Sequence, residues 1–202
     1  TIEINDEEGN GNQAADYNET CRFGISLHNV GFSEMGNFNV MLSCNHPAVE
    51  ITQDAFDFNS MNVNETQLQA NAFTVHFGDD LTDKEKVKFY LKMENADYRF
   101  NDSVTLTMKA PNLKYGKLTI TDLEGNEMDR LMKGTPSYLT FDIMNQGGSK
   151  SMEIDNLLNL LAPFLKVAEP KVTIPAIEAG ATGQVTFRAD VDENAFDGVI
   201  NY

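Results

Sequence analysis

Tryptophan is absent from this chain, which removes the side chain best suited to a flat sugar-stacking platform and leaves only tyrosine and phenylalanine for that role. The two cysteines and three histidines show no zinc-type Cys/His spacing. Basic residues are scarce as well: 15 lysines and arginines stand against 31 aspartates and glutamates, for a formal charge of -16. Such a surface repels phosphate backbones and anionic membranes at long range, so nucleic acid is not an expected partner. No stretch approaches the roughly 20 apolar residues of a membrane span. The longest apolar cluster, Leu157 to Val167, is interrupted by Asn159 and Pro163, and membrane insertion is not expected. Thr1 does not open a signal peptide with a basic start and an apolar middle, so an export signal would have to lie outside this chain. Neither a phosphate-cradling glycine loop nor a nucleophile elbow occurs. Against these absences, 41% hydrophobic and 23% charged residues are ordinary values for a chain that folds.

The strongest positive signal is an internal repeat. Displaced by 116 positions, Ile2 to Ile51 lies over Leu118 to Val167 without a gap. Nine positions are then identical: Ile4/Ile120, Asp6/Asp122, Glu8/Glu124, Gly9/Gly125, Asn10/Asn126, Asn29/Asn145, Gly31/Gly147, Ser33/Ser149 and Pro47/Pro163. A further slip of two residues after Ile51 places Phe73, Val75 and Phe77 over Phe187, Ala189 and Val191. A repeat of this length implies two domains, and 202 residues suffice for two small cores. Pro111 and Asn112 mark the boundary, which gives domains at 1-110 and 111-202.

Within each copy the apolar residues alternate. Phe23, Ile25 and Leu27 interleave with polar residues or glycine, as do Phe38, Val40 and Leu42, and Phe73, Val75 and Phe77 share a phase. Seven or eight such segments, separated by turn-rich stretches and without helical periodicity between them, predict an all-β fold of two tandem immunoglobulin-like antiparallel β-sandwiches. One segment is ambiguous. Leu157, Leu158, Leu160, Leu161, Phe164 and Leu165 have helical spacing with Pro163 among them, whereas their counterparts in the first copy read as strand and turn. The repeat favours a strand with a hydrophobic connection over a short helix. The second copy reaches the equivalent of Phe89 at Tyr202, so it is expected to be completed by chain beyond Tyr202 or by a strand from another molecule.

Three groups of residues invite a chemical reading. Glu8 to Glu19 has the length and ligand order of a 12-residue calcium loop, with Glu8, Asn10, Asn12, the Ala14 carbonyl, Asp16 and Glu19 in the ligand positions. However, Gln13 stands where glycine normally turns the loop, and the second copy has Met128, Met132 and Thr135 in place of Asn12, Asp16 and Glu19. An Asx-rich turn is the competing reading. Cys44 and His46, two apart, resemble a thiol-imidazole pair, but no third group that would orient the base is evident. Cys21 and Cys44 share the phase of the inward residues and would oppose each other if their strands paired about a turn near Phe32. Either a disulfide worth roughly 3 kcal/mol or two buried thiols follows. His28 and His76 fall on outward faces, and the acidic residues show no spacing that would set two carboxylates across a substrate.

Taken together, the runs DEEGNGNQAADYNET, CRFGISLHNVG and FNVMLSCNHPAVEIT resemble the immunoglobulin-like domains that accompany secreted bacterial peptidases of the gingipain-like cysteine and subtilisin-like serine types. In those domains an Asp/Asn/Gly loop ending in Gly-Glu-Thr leads into a strand and Asn-x-Gly, then into a strand and a Pro-x-Val-x-Ile segment. Here Asn18 precedes Glu19 in place of glycine, Gln13 replaces the loop glycine, and both cysteines lie outside the pattern. The resemblance implies a non-catalytic, extracellular or cell-surface module that serves as spacer, stabiliser or adhesive surface. Its partner would be the catalytic domain of a parent protein or another surface protein. None of the peptidase motifs occurs in this chain, so it is not itself expected to be an enzyme. A stand-alone surface adhesin or carbohydrate-binding module is the alternative, and no cofactor is expected beyond the calcium of the Glu8 to Glu19 reading.

Overall fold

The computed structural model describes residues 1–7, 9–159 and 162–195. All regular structure among them is β, and the chain separates into two compact units, Thr1–Ala110 and Pro111–Tyr202.

The first unit contains β1 (Ile2–Asn5), β2 (Glu19–His28), β3 (Phe38–Cys44), β4 (Val49–Gln53), β5 (Ala55–Phe58), β6 (Thr66–Phe77), β7 (Lys86–Glu94) and β8 (Arg99–Thr107). One sheet has the order β1-β2-β6-β4 and the other β5-β3-β7-β8, with every pairing between these strands antiparallel. This is the immunoglobulin arrangement, four strands facing three, with β5 as an added edge strand. The pleat sends alternate residues inward, so Cys21, Phe23 and Ile25 from one sheet and Val40, Leu42, Val87 and Phe89 from the other are all buried. Phe23, Phe77 and Phe89 form the centre, with ring centroids 5.5 to 6.3 Å apart and the rings edge-on or tilted.

The second unit contains β9 (Leu113–Thr121), β10 (Glu127–Met128), β11 (Pro136–Asn145), β12 (Ile154–Leu157), β13 (Leu165–Val167), β14 (Lys171–Ile174) and β15 (Thr182–Val191). Its sheets run β10-β9-β11-β15-β13 and β12-β14. The repeat seen in the sequence is also a repeat of pairing: Ile4 opposes Phe23 as Ile120 opposes Leu139, and Phe23 opposes Phe73 as Leu139 opposes Phe187. Leu139, Phe141, Ile143, Val185 and Phe187 fill this core. Among the described residues, β7 and β8 have no counterpart here; the expected completion of this copy concerns residues outside the described range.

Three expectations are corrected or refined. The two-residue slip of the repeat lies inside β6, not directly after Ile51. Phe23 and Ile25 pair with Phe73 and Gln69, so three residues of β6 stand opposite Gly24, and Asn71 takes a φ of 56° to make the bulge. Leu157 ends β12 and Leu165 opens β13, so the leucine-rich segment is a strand, a connection and a strand; Leu160 and Leu161 lie outside the described residues. Finally, Cys21 and Cys44 are not bonded. Both edges of β2 are taken by β1 and β6, and both edges of β3 by β5 and β7, so the assumed hairpin between β2 and β3 does not form. Cys21 is fully buried, whereas Cys44, at the end of β3, is only half-buried.

Candidate functional site

The loop between β1 and β2 is built around carboxylates turned inward. Asp6 and Asp16 are each only 2% exposed, an expensive position for a charge unless donors surround it. Asp6 accepts the backbone N–H groups of Asn12 at 2.7 Å and Gln13 at 3.0 Å. Asp16 accepts the side-chain amides of Asn10 and of Asn12, the latter at 2.6 Å. Glu19 accepts the Asn10 N–H at 2.9 Å and the Cys21 thiol at 3.5 Å. Burial raises the Glu19 pKa above the ordinary carboxylate value, with the nearby charges of Asp16 and Asp6 adding to it against the pull of its hydrogen bonds. Burial likewise pushes the Cys21 thiol far up, helped by the charge of Glu19, so it is held as an unreactive thiol.

The calcium reading maps onto this loop residue by residue. Asn10, Asn12, Asp16 and Glu19 are brought together, the Ala14 carbonyl lies 3.9 Å from Cys21 Sγ, and Glu8 falls outside the described residues. Gln13 adopts a φ of 57° and Gly11 one of 71°, so the turn is made with a left-handed glutamine where the template has glycine. Among the described residues no three His, Cys, Asp or Glu side chains gather as a metal site. The oxygens instead hold protein N–H groups, with Asp6, which precedes the 12-residue template, as one of the two hubs. Its signal in the sequence was its identity with Asp122. That residue organises the matching turn of the second unit by accepting the N–H groups of Glu124 and Asn126.

A second polar site exists in both units. Asn29 Nδ2 donates to the carbonyls of Ser33 and Met61, and its Oδ1 accepts from Gly31. Asn145 does the same with Ser149, Ile177 and Gly147, and its Oδ1 also accepts the N–H of Asn112. The Asn-x-Gly-x-Ser identities of the repeat are therefore the residues of one loop anchor, used twice.

Cys44 and His46 do not form a nucleophile and its base. His46 Nε2 lies 2.9 Å from Glu85 Oε1, and Nδ1 accepts the N–H of Ala48 at 3.2 Å, so both ring nitrogens are engaged away from the thiol. Cys44 Sγ instead accepts the His46 backbone N–H at 3.4 Å. Hydrogen bonds from the backbone and hydroxyl of Thr82, with a smaller contribution from His46, hold the Glu85 pKa below the ordinary value. His28 and His76 are paired outward with the hydroxyls of Thr66 and Thr20.

No family model and no curated protein matches this chain. A solved structure described as BspA_C_WT is similar to it at 10% identity and a TM-score of 0.38, covering 95% of this chain and 91% of the other. That likeness assigns no function, and the function is argued from the residues of this chain.

Proposed function

We propose that this chain is a non-catalytic pair of immunoglobulin-like modules within a larger secreted or cell-surface bacterial protein. It stands beside a peptidase domain as spacer, stabiliser or protein-interaction surface. The observation that carries this reading is the use of the polar residues common to the two copies. Asp6 and Asp122 organise turns, and Asn29 and Asn145 anchor loops. The side chains with the chemistry for catalysis are engaged in the same way: His46 through both nitrogens, Glu19 by an N–H and a thiol, Cys21 by burial. A fold can carry many functions, and here it is the side chains that favour a structural role. The partner is the catalytic domain of the parent protein or another surface protein.

The test is to express the full reading frame with and without residues 1–202 and to compare turnover of a small peptide substrate, thermal half-life and retention at the cell surface. Unchanged turnover with a shorter half-life or lost retention is the expected result. A reading frame without a peptidase domain, or loss of small-substrate turnover on deletion despite a folded remainder, overturns the peptidase link. A stand-alone adhesin or carbohydrate-binding module is the second reading, favoured by one basic, tyrosine-bearing sheet face in an otherwise acidic chain.

A further inference from the structure

That face is the outer surface of the sheet β5-β3-β7-β8. Because Val87, Phe89 and Leu91 point into the core, Lys86, Lys88, Tyr90 and Lys92 point out of it. Register places Lys86 opposite Thr107, Lys88 opposite Thr105, Tyr90 between Ser43 and Ser103, and Lys92 between Met41 and Asn101. The result is a row of three lysines and a tyrosine about 20 Å long, flanked by hydroxyl and amide side chains.

The charge on this row is anomalous. In a chain with 31 carboxylates and 15 basic residues, Lys86 and Lys88 have no carboxylate partner among the described residues. Lys88 Nζ lies instead 5.2 Å from the centre of the ring of Tyr90, a residue 41% exposed. Lys92 is 2.6 Å from Glu94, which also takes Arg99, and Asp57 is engaged by Asn39. The face therefore carries a net positive charge. Acidic groups on the far sheet stand about 10 Å away, and screening with a decay length of roughly 8 Å at physiological salt weakens their effect on this face.

We infer that this face binds an acidic polysaccharide lying along β7. The inference rests on reading the chain as a non-catalytic surface module. The lysines meet carboxylate or sulfate groups spaced along a sugar chain, Tyr90 offers a ring, and Ser103, Thr105, Thr107 and Asn101 offer partners for hydroxyls. A peptide would need pockets for its side chains, which a flat sheet face does not provide.

The experiment is affinity electrophoresis of the intact chain through gels containing polygalacturonate, neutral dextran or poly-glutamate, at low salt and at about 0.15 M. Retardation by polygalacturonate alone, weakened by salt, is expected. Changing Lys86→Gln or Lys88→Gln weakens it by up to about fivefold each, the upper range for one exposed ion pair. Tyr90→Ala also weakens it but leaves its salt dependence unchanged. Unchanged melting temperatures establish that the variants fold. No retardation at low salt, equal retardation of the double lysine variant, or retardation by poly-glutamate in place of polygalacturonate overturns the inference. None of these outcomes depends on a peptidase in the reading frame, so the two proposals fail separately.

Discussion

Replacing Asn145 by alanine is predicted to destabilise the second unit far more than replacing Asn29 destabilises the first, although the two residues occupy the same place in the repeat. Asn145 is 1% exposed, and its amide completes four hydrogen bonds of 2.8 to 3.1 Å. Two of the groups it serves, the N–H groups of Asn112 and Gly147, belong to residues that reach solvent. Losing the amide there costs about 0.5–1.5 kcal/mol each. The other two are carbonyls of the buried residues Ser149 and Ile177. Left without a donor, each costs about 1–3 kcal/mol, toward the low end for Ile177, whose oxygen also accepts the N–H of Ser151. Bonds made by one side chain do not simply add, so the total is taken at the lower part of their sum, about 3–5 kcal/mol. Asn29 is half-buried, makes three such bonds, and has an exposed partner in Ser33, so water replaces much of what is lost and about 1–2 kcal/mol is expected. Differential scanning calorimetry of the intact chain reads both. At about 4–8 °C per kcal/mol for a domain of this size, Asn145→Ala should lower one transition by about 12–40 °C and leave the other in place. Asn145→Asp has nearly the same shape but turns an oxygen toward two carbonyls, and should be at least as damaging. Equal shifts for the alanine variants, or less than about 1 kcal/mol for Asn145→Ala, would refute the reasoning.

Other consequences are open to measurement. In native protein a thiol reagent should modify Cys44 well before Cys21, because Cys21 is fully buried with its ionisation opposed by Glu19, and unfolding should expose both; equal native rates would contradict this. The raised pKa of Glu19 means that the folded state keeps its proton while the unfolded chain gives its own up, so this group costs stability as pH rises above 4.5. Glu19→Gln should therefore stabilise the first unit at pH 7, with the gain fading below 4.5, and a variant less stable at pH 7 would show that its hydrogen bonds outweigh its burial. Phe89→Ala removes the ring that touches both Phe23 and Phe77 and should cost about 3–5 kcal/mol in urea unfolding; a loss under about 1 kcal/mol would show that the core closes over the gap. Calorimetric titration with millimolar calcium should give no heat, since the oxygens of Asp6 and Asp16 already accept backbone and amide N–H groups; saturable heat lost in Asp16→Asn would establish the calcium loop.

What was legible in the sequence, and what was not, follows from what each kind of pattern encodes. Alternation reports which face of a strand is turned inward, and it placed Phe23, Val40, Phe73 and Phe187 in cores. It does not report which strand lies alongside. Cys21 and Cys44 share the inward phase, yet they belong to opposite sheets. Template matching had a similar limit. A 12-residue ligand order starting at Glu8 passed over Asp6, although Asp6 is bonded to the very backbone the template was meant to turn.

The identities between the two copies carried more information than either pattern, for a physical reason. A core position asks only for apolar volume, which neighbours can redistribute, so Phe23 answers to Leu139 and Val75 to Ala189 with the strand pairing kept. A loop anchor asks for a donor and an acceptor at set distances from particular backbone atoms, and no other side chain matches an asparagine that donates twice and accepts from a glycine two residues on. Two units can thus drift apart inside while keeping the anchor residues of their turns. Leaving aside Glu8/Glu124, whose first member lies outside the described residues, seven of the other eight identical positions lie outside the strand interiors or at a strand end, and Ile4/Ile120 is the exception that packs against a core. In a pair of sandwiches such as this, identity marks where a side chain holds the backbone in shape, and a search for a functional surface is better aimed at features the repeat does not share, as with the unpaired lysines of β7.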